Sequence, residues 1–524
     1  MTRWIVFVLA TCMALVVAEG ATRAVDGYRL TALRLAASEP WARRDRARHL
    51  ESRKWQSLED AWPYVQQLPT AAGVEREWFL APAPERPPVK PEPDLQARAD
   101  RYRPVDLPAN YEWNWKFAVN TACLKEHHDG GEILDNFEDV FVFDPLDGSP
   151  FPRFRFLRGV TYPSALRTNA FGWRGPDIAL NKRPGSIRIA FIGASTTVGP
   201  HHEPYSYPEL IQFLLNRWGQ LRHPQLTFEV INAGREGVNS SSIQAIVRQE
   251  VLPVDPDLVV YYEGSNQYWP ADFIRARLPA RSQTSAPQPS AFGQYSAIAR
   301  RMETVLRRAV ALGVEAPKPA IAVEWPKDLD ERDPNLSHPQ LPINLPQILA
   351  DLETIRHSLD DEGARLALTS FVWLVHPGLI LDPVRDAYLF DYLNVKYWPY
   401  SYAHMRRYID FQNQVFRKYA ATHGVDFIDL AGEYPPDPRL FSDGVHMMGV
   451  GIPLQAWIVF NHLVSTMERR LGSGEWPRAP RHELSAHPAF GARRLVSMET
   501  IRAACRADAR TTRAASDGKS SAER

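Results

Sequence analysis

The chain has 524 residues, of which 44% are hydrophobic and 23% charged, a balance that belongs to globular proteins and excludes a disordered chain. Lysine plus arginine equals aspartate plus glutamate at 61 each, so the net charge gives no footprint for a nucleic-acid partner. The length leaves room for more than one domain and a large core.

The opening, "MTRWIVFVLATCMALVVAEGATRA", carries an apolar run from Trp4 to Ala18 that stops at Glu19. That length suits a signal-peptide core with "VVA" as its cleavage site, while Gly20 to Thr22 would extend it into an uncleaved anchor. Residues 1–24 are therefore expected to be a signal peptide or a membrane anchor. The rest is expected to work outside the cytoplasm, released or tethered to the inner membrane. Arg23, Arg29 and Arg34 run against this, because the positive-inside bias puts basic residues before such a run. Cys123 and Cys505 lie beyond the leader, and the sequence leaves a bridge between them open.

Residues 25–108 read as an Arg- and Pro-rich linker region, with helical character around "PWARRDRARHLESRKWQSLEDAW" and a polyproline-type spacer at Ala81–Pro93. Residues 109–185 read as a small β-rich extension, since aromatic and β-branched residues alternate with turns in "DVFVFDPLDGSPFPRFRF". Within it, "HHDGG" (His127–Gly131) reads as a solvated turn ahead of a metal site.

From Ser186 the pattern becomes strand, loop and helix in alternation. "IRIAFIG", "TFEVINAG", "DLVVYYEG", "ARLALTSFVW" and "VDFIDL" are short apolar runs closed by turn residues, as buried parallel strands are. Between them, Ile211, Leu214, Leu215 and Trp218 recur at helical spacing, as do Ile348, Leu352, Ile355 and Leu359, and Tyr408, Phe411, Val415 and Tyr419. The expectation is an α/β domain over 186–472, with a five-stranded parallel sheet covered on both faces. An insertion at 269–344 interrupts it. Its one amphipathic helix sets Ile298, Met302, Val305 and Leu306 against Arg300, Arg301, Arg307 and Arg308. That pattern fits a packed helix with a solvated basic face, or a lid or docking face for anionic material. Residues 473–524 lose periodicity and read as a disordered tail.

Ligands of an open parallel sheet bind outside the carboxyl ends of its strands. There the sequence offers Ser195 in "GASTTVG", Gly234 and Gly237 in "NAGREGVNS", Asn266 in "EGSNQ", and Asp443 and His446 in "SDGVHMMGVG". A serine becomes a nucleophile when an imidazole takes its proton, which casts His446 as base and Asp443 as its orienter. The backbone N–H groups of Ser195 and Gly237, with the Asn266 amide, suit an oxyanion hole. A phosphate loop fits "GASTTVG" poorly, because Pro200 and His201 stand where its lysine would follow. His201, His202 and Glu203 read as a cleft-lining loop ahead of a metal site, and no cofactor is expected.

In order and spacing, Ser195, Gly237, Gly264-Ser265-Asn266 and Asp443-Gly444-Val445-His446 resemble the blocks of the SGNH hydrolase family of the GDSL type, over about residues 186–472. "RTNAFGWRGPDI" resembles the lead-in of envelope-associated bacterial members with N-terminal anchors. Ala194 stands where the family usually has Asp, and Gln267 where Asp often follows the asparagine. The resemblance implies a three-layer α/β/α sandwich of flavodoxin-like topology and acyl-ester chemistry that needs no metal. The expected substrate is an acylated small molecule or an envelope glycan, handled by a serine esterase. An O-acyltransferase on the same acyl-serine and a catalytically silent glycan-binding protein are the alternatives.

Overall fold

The computed structural model describes residues 2–26, 28–35, 57–86, 91–100, 111–123, 138–144, 153–266, 292–311, 326–342, 344–376, 402–481, 483–484 and 493–506, with 379, 389 and 393. His127–Gly131, Gln267, residues 36–56 of the Arg-rich stretch and the side chains of Val305, Arg307 and Arg308 lie outside that description. The chain divides into a smaller unit (Met1–Ser52, Pro270–Glu324, Leu381–Met405) and a larger one (Arg53–Trp269, Trp325–Ile380, Arg406–Arg524).

In the larger unit, β1 (Tyr111–Asn114), β2 (Asp139–Phe143) and β3 (Phe154–Phe156) build a small sheet. β1 runs parallel to β2, with Trp113 opposite Val142, and antiparallel to β3, with Glu112 opposite Arg155. Both members of the Glu112–Arg155 pair are buried, and the guanidinium donates twice to Glu112 Oε2, at 2.9 and 2.8 Å. The core of this sheet gathers Trp113, Phe141, Phe156 and Tyr162, and it also takes in Val198, three residues after Ser195. The extension thus braces the loop that follows the first long strand.

The main sheet comprises β4 (Ser186–Gly193), β5 (Thr227–Asn232), β6 (Leu258–Tyr262), β7 (Arg365–Thr369) and β8 (Asp426–Ile428). All pairings are parallel, in the order β5-β4-β6-β7-β8. This is a flavodoxin-like order, and it places the switch point between β4 and β6. Successive side chains of β4 serve opposite faces. Ala190 and Ile192 join a core with Ile243, Ile348, Leu352, Ile355, Phe411, Val415 and Tyr419. Phe191 meets Tyr207 edge-on, with ring centroids 5.3 Å apart. Tyr207 opens the helix Tyr207–Arg222, which packs beside the long helix Gly451–Gly472. Helices on both faces give the α/β/α sandwich. Leu329 and Leu341, from the insertion, are part of its core.

Two expectations need correction. The region 25–108 is not simply a linker: Leu58–Val65 forms a helix that buries Ala61 and Val65, and the turn Arg76–Leu80 buries Trp78 and Phe79. The Phe79 ring lies edge-on to Trp457 of the long helix at 6.0 Å. Aromatic burial outweighs the local proline content there. The tail is also not disordered throughout. β9 (Arg494–Ser497) pairs antiparallel with β2, residues 498–506 continue as a helix, and Met498 and Ile501 enter the small sheet's core. Cys123 and Cys505 form a disulfide with their Cα atoms 5.2 Å apart. It closes a loop of 382 residues in sequence. Cys505→Ser is expected to destabilise the larger unit by roughly 2–4 kcal/mol, read as a lower urea midpoint; an unchanged midpoint would mean the C-terminal strand holds without the bond.

Candidate active site

β4 ends at Gly193, whose position admits no side chain, because a Cβ there would run into Thr197 and the carbonyl of Tyr262. Ala194 follows, fully buried, and Ser195 begins the short helix Ser195–Val198. The small residues of this loop therefore let the serine helix press against the end of β6. Thr197 Oγ1 donates to the Tyr262 carbonyl at 3.1 Å.

From the far end of the sheet comes the turn Ser442–Met447. Ser442 N–H donates to the His446 carbonyl at 2.8 Å, and Phe441 bridges Met447. Asp443 sits inside the turn and its Oδ1 accepts the N–H groups of Val445 and His446, both at 2.9 Å. It does not cap the helix that follows, whose N-cap is Val450. The carboxylate also meets His446 Nδ1, at 2.9 Å from Oδ1 and 2.8 Å from Oδ2. The other ring nitrogen, Nε2, stands 2.7 Å from Ser195 Oγ. Asp443 is buried, and the His446 side chain is 23% exposed. Serine, imidazole and carboxylate thus form one hydrogen-bonded line from half-open surface to interior.

Two elements missed at the sequence level hold this line in place. Arg174, from "FGWRG", is buried beneath the serine loop and donates to the carbonyls of Val198 (3.2 Å), Pro200 (2.8 Å) and Glu203 (2.5 Å). Asn232, at the end of β5, donates to the Thr197 carbonyl at 2.9 Å and to Ser206 Oγ at 3.1 Å. An arginine set among aromatic and glycine residues in "FGWRG" and an asparagine closing a strand were the available signals. Glu203 Oε1 accepts Gly449 N–H at 3.0 Å and ties the first loop to the histidine turn.

His201 Nε2 lies 3.2 Å from Glu236 and 3.3 Å from the Tyr111 hydroxyl. Among the described residues no group of three or more His, Cys, Asp or Glu side chains is arranged to hold a metal ion.

After β5, Gly237 has φ +64°, a left-handed conformation that glycine adopts without strain, and open space where a Cβ would stand. Backbone conformation, not crowding, accounts for glycine there. After β6, Asn266 Nδ2 donates one hydrogen to the Val238 carbonyl at 2.8 Å, which links the second and third blocks and fixes the amide's orientation. The loop is held from below by Glu263, whose Oε1 accepts the N–H groups of Ser265 (2.8 Å) and Asn266 (2.7 Å). Glu263 is fully buried, and its Oε2 has no hydrogen-bond partner among the described residues.

Burial pushes the Glu263 carboxyl up to about 7, against the opposing pull of the Asn266, Ser265 and Gly264 N–H groups. The folded state therefore holds this proton through a range where the unfolded chain has lost it. The stability it brings is full below the unfolded value of about 4.3 and is lost as pH rises through about 7. Glu263→Gln keeps the shape and the acceptor but cannot ionise. Between pH ~4 and ~8 the wild type is expected to lose on the order of 3 kcal/mol relative to this variant. Urea unfolding of both proteins across that range measures it, and parallel curves would show a carboxyl that does not titrate there.

A serine on an imidazole on a buried carboxylate, at the carboxyl end of a parallel α/β sheet, is an arrangement able to activate the hydroxyl toward an acyl carbon. Residues 191–451 match the GDSL-like Lipase/Acylhydrolase family. That stretch is a GDSL-type hydrolase domain. Among solved structures, it is similar to a lipase/acylhydrolase from Enterococcus faecalis, 16% identical over 57% of this chain and 100% of that one, with a TM-score of 0.29. A GDSL-like lipase from Bacteroides thetaiotaomicron is 13% identical over 56% and 92%, with a TM-score of 0.27. An acetyl xylan esterase is 15% identical over 53% and 99%, with a TM-score of 0.29. No curated protein matches the chain by sequence.

Proposed function

We propose that the domain is a serine esterase that removes acetyl or other short acyl groups from a glycan or a small ester outside the cytoplasm. The observation that carries this is the line Ser195 Oγ, His446 Nε2 (2.7 Å), His446 Nδ1, Asp443 Oδ2 (2.8 Å). Asp443 holds Nδ1 protonated, which leaves Nε2 as the acceptor facing the serine. As Ser195 Oγ bonds to the acyl carbon, its proton passes to Nε2, and the carbonyl oxygen becomes an oxyanion. The N–H groups of Ser195 and Gly237 and the second hydrogen of Asn266 Nδ2 receive that charge. Collapse breaks the bond to the alcohol oxygen, which leaves with the proton from His446. Water then repeats the sequence in reverse and frees the acid.

Work outside the cytoplasm is supported by the Cys123–Cys505 disulfide, a bond that persists in oxidising compartments. The apolar helix Thr2–Asp26 fits the same location as an anchor or leader.

Hydrolysis of p-nitrophenyl acetate, butyrate and octanoate, with acetate release from acetylated glycans, tests the reading. The expected order is acetate fastest and octanoate slowest, with glycan deacetylation present. Absent turnover, or a preference for the long chain, would overturn it. Added glycerol separates water from alcohol as acceptor: acylglycerol formed at the expense of free acid would mark a transferase.

A further inference from the structure

Two helices of the smaller unit have no part in this chemistry. Along Thr2–Asp26, Trp4, Phe7, Leu9, Met13 and Val16 are all more than half exposed, and the apolar span Arg3–Val25 has no buried share. An apolar surface of that extent belongs in a bilayer. Where the run stops, Glu19 turns to the insertion helix Ala297–Ala311. Its carboxylate accepts Ser296 Oγ at 2.8 Å and the N–H groups of Ala297 (2.8 Å) and Ile298 (3.2 Å). These are donors that a helix start leaves unsatisfied, and the negative charge meets the positive end of the helix dipole.

Arg23 adds to the tie. It pairs with Glu19 at 2.7 Å and donates to the carbonyls of Ala32 (2.6 Å) and Tyr295 (2.5 Å). Leu35 N–H reaches the Gln294 carbonyl at 2.9 Å. The basic residues after the apolar run, which argued against export in the sequence, thus include one with a structural task at this junction.

Beyond the tie, the insertion helix leaves Met302 and Leu306 exposed, at 61% and 62%, and Phe292 just ahead of it at 80%. Its sequence also carries Arg300, Arg301, Arg307 and Arg308. An apolar face on an arginine-bearing helix is the composition of helices that lie in the plane of a bilayer surface, and the arginines favour anionic headgroups. The tie supplies the depth. Glu19 is the first charged residue after the apolar run, so a helix that begins on it begins toward the end of the span that leaves the bilayer.

We propose that the helix Ala297–Ala311 rests on an anionic lipid surface beside the membrane-embedded N-terminal helix, with Met302 and Leu306 in the headgroup–acyl boundary. This rests on the reading of Thr2–Asp26 as a retained anchor, which the experiment tests separately. The full chain carrying Cys12→Ser is reconstituted into vesicles of phosphatidylethanolamine and phosphatidylglycerol. A fluorophore is placed on Met302→Cys, Leu306→Cys or, as the anchor probe, Leu9→Cys.

The expected result is strong quenching of all three by nitroxide lipids, shallow ones for 302 and 306 and deep ones for 9, with several-fold protection of 302 and 306 from iodide. Replacing phosphatidylglycerol by phosphatidylcholine should restore iodide access at 302 and 306 and leave 9 unchanged. Open access at 302 and 306 with 9 quenched by lipid would put the helix in water and overturn the proposal. Shielding from both iodide and lipid nitroxides would mean a protein contact and overturn it as well. Indifference to lipid charge would overturn the anionic preference, and an unquenched probe at 9 would overturn the anchor itself.

Discussion

Ser195→Ala is expected to lower kcat for short esters by about 10⁴–10⁶-fold while the protein stays folded. The substitution removes one half-buried oxygen and keeps the backbone N–H, so the sheet and the serine loop lose nothing that holds them. The hydrogen bonds that fix this loop come from Arg174 and Asn232 to backbone carbonyls, and neither involves the serine side chain. What disappears is the atom proposed to bond to the acyl carbon. His446→Ala should show a deficit of similar depth, because the serine then keeps its proton. The two losses should not add when combined, since nucleophile and base act as one unit. Far-UV and near-UV dichroism identify a variant that has merely unfolded. Substantial turnover by a folded Ser195→Ala would remove the serine from the mechanism.

Asn266→Ala is expected to lower kcat and kcat/KM together by about 10²–10³-fold, or roughly 3–4 kcal/mol of transition-state stabilisation. The amide already gives one hydrogen to the Val238 carbonyl, so its orientation is fixed before substrate arrives. In the proposed mechanism the second hydrogen meets charge that exists only after the carbonyl is attacked, which places its effect in kcat. The loop itself should survive the change. Its backbone is held by Glu263 through the N–H groups of Ser265 and Asn266, and those bonds do not depend on the asparagine side chain. Steady-state kinetics on p-nitrophenyl acetate reads the split. A rise in KM alone would make Asn266 a substrate contact, and loss of folding would make it a structural link between the second and third blocks.

Much of the main sheet was legible in the sequence because buried parallel strands must be apolar almost throughout and must end in residues that turn. β4 and β6 are buried at every position, and their runs "SIRIAFIG" and "LVVYY" show it directly. The rim residues were legible for the same reason, since each block follows a strand end. The small sheet's fourth strand was not. Arg494–Ser497 is short and mostly exposed, and its partner β2 lies some 350 residues earlier, so neither pattern nor proximity announces the pairing. The first part of the helix Leu58–Val65 lay within the stretch read as helical, which stopped at Trp62 because Pro63 follows, and Trp78 and Phe79 were apolar enough to demand burial. Glu263 reads in sequence as a polar residue ending a strand. Only the packing of "EGSN" shows a buried carboxyl that gathers the N–H groups of its own loop. The bond between Glu19 and the insertion helix spans nearly 280 residues and has no local signature.

The central claim is that Ser195 carries the acyl group, and it is tested most directly by trapping that serine. The full chain is incubated with a fluorophosphonate, digested, and the adduct located by mass spectrometry. The account expects a single adduct on the peptide containing "FIGASTTVGP", fragmenting at Ser195, with labelling abolished in Ser195→Ala and sharply slowed in His446→Ala. An adduct on another serine, or a folded protein that takes up no probe while it still hydrolyses esters, would contradict it.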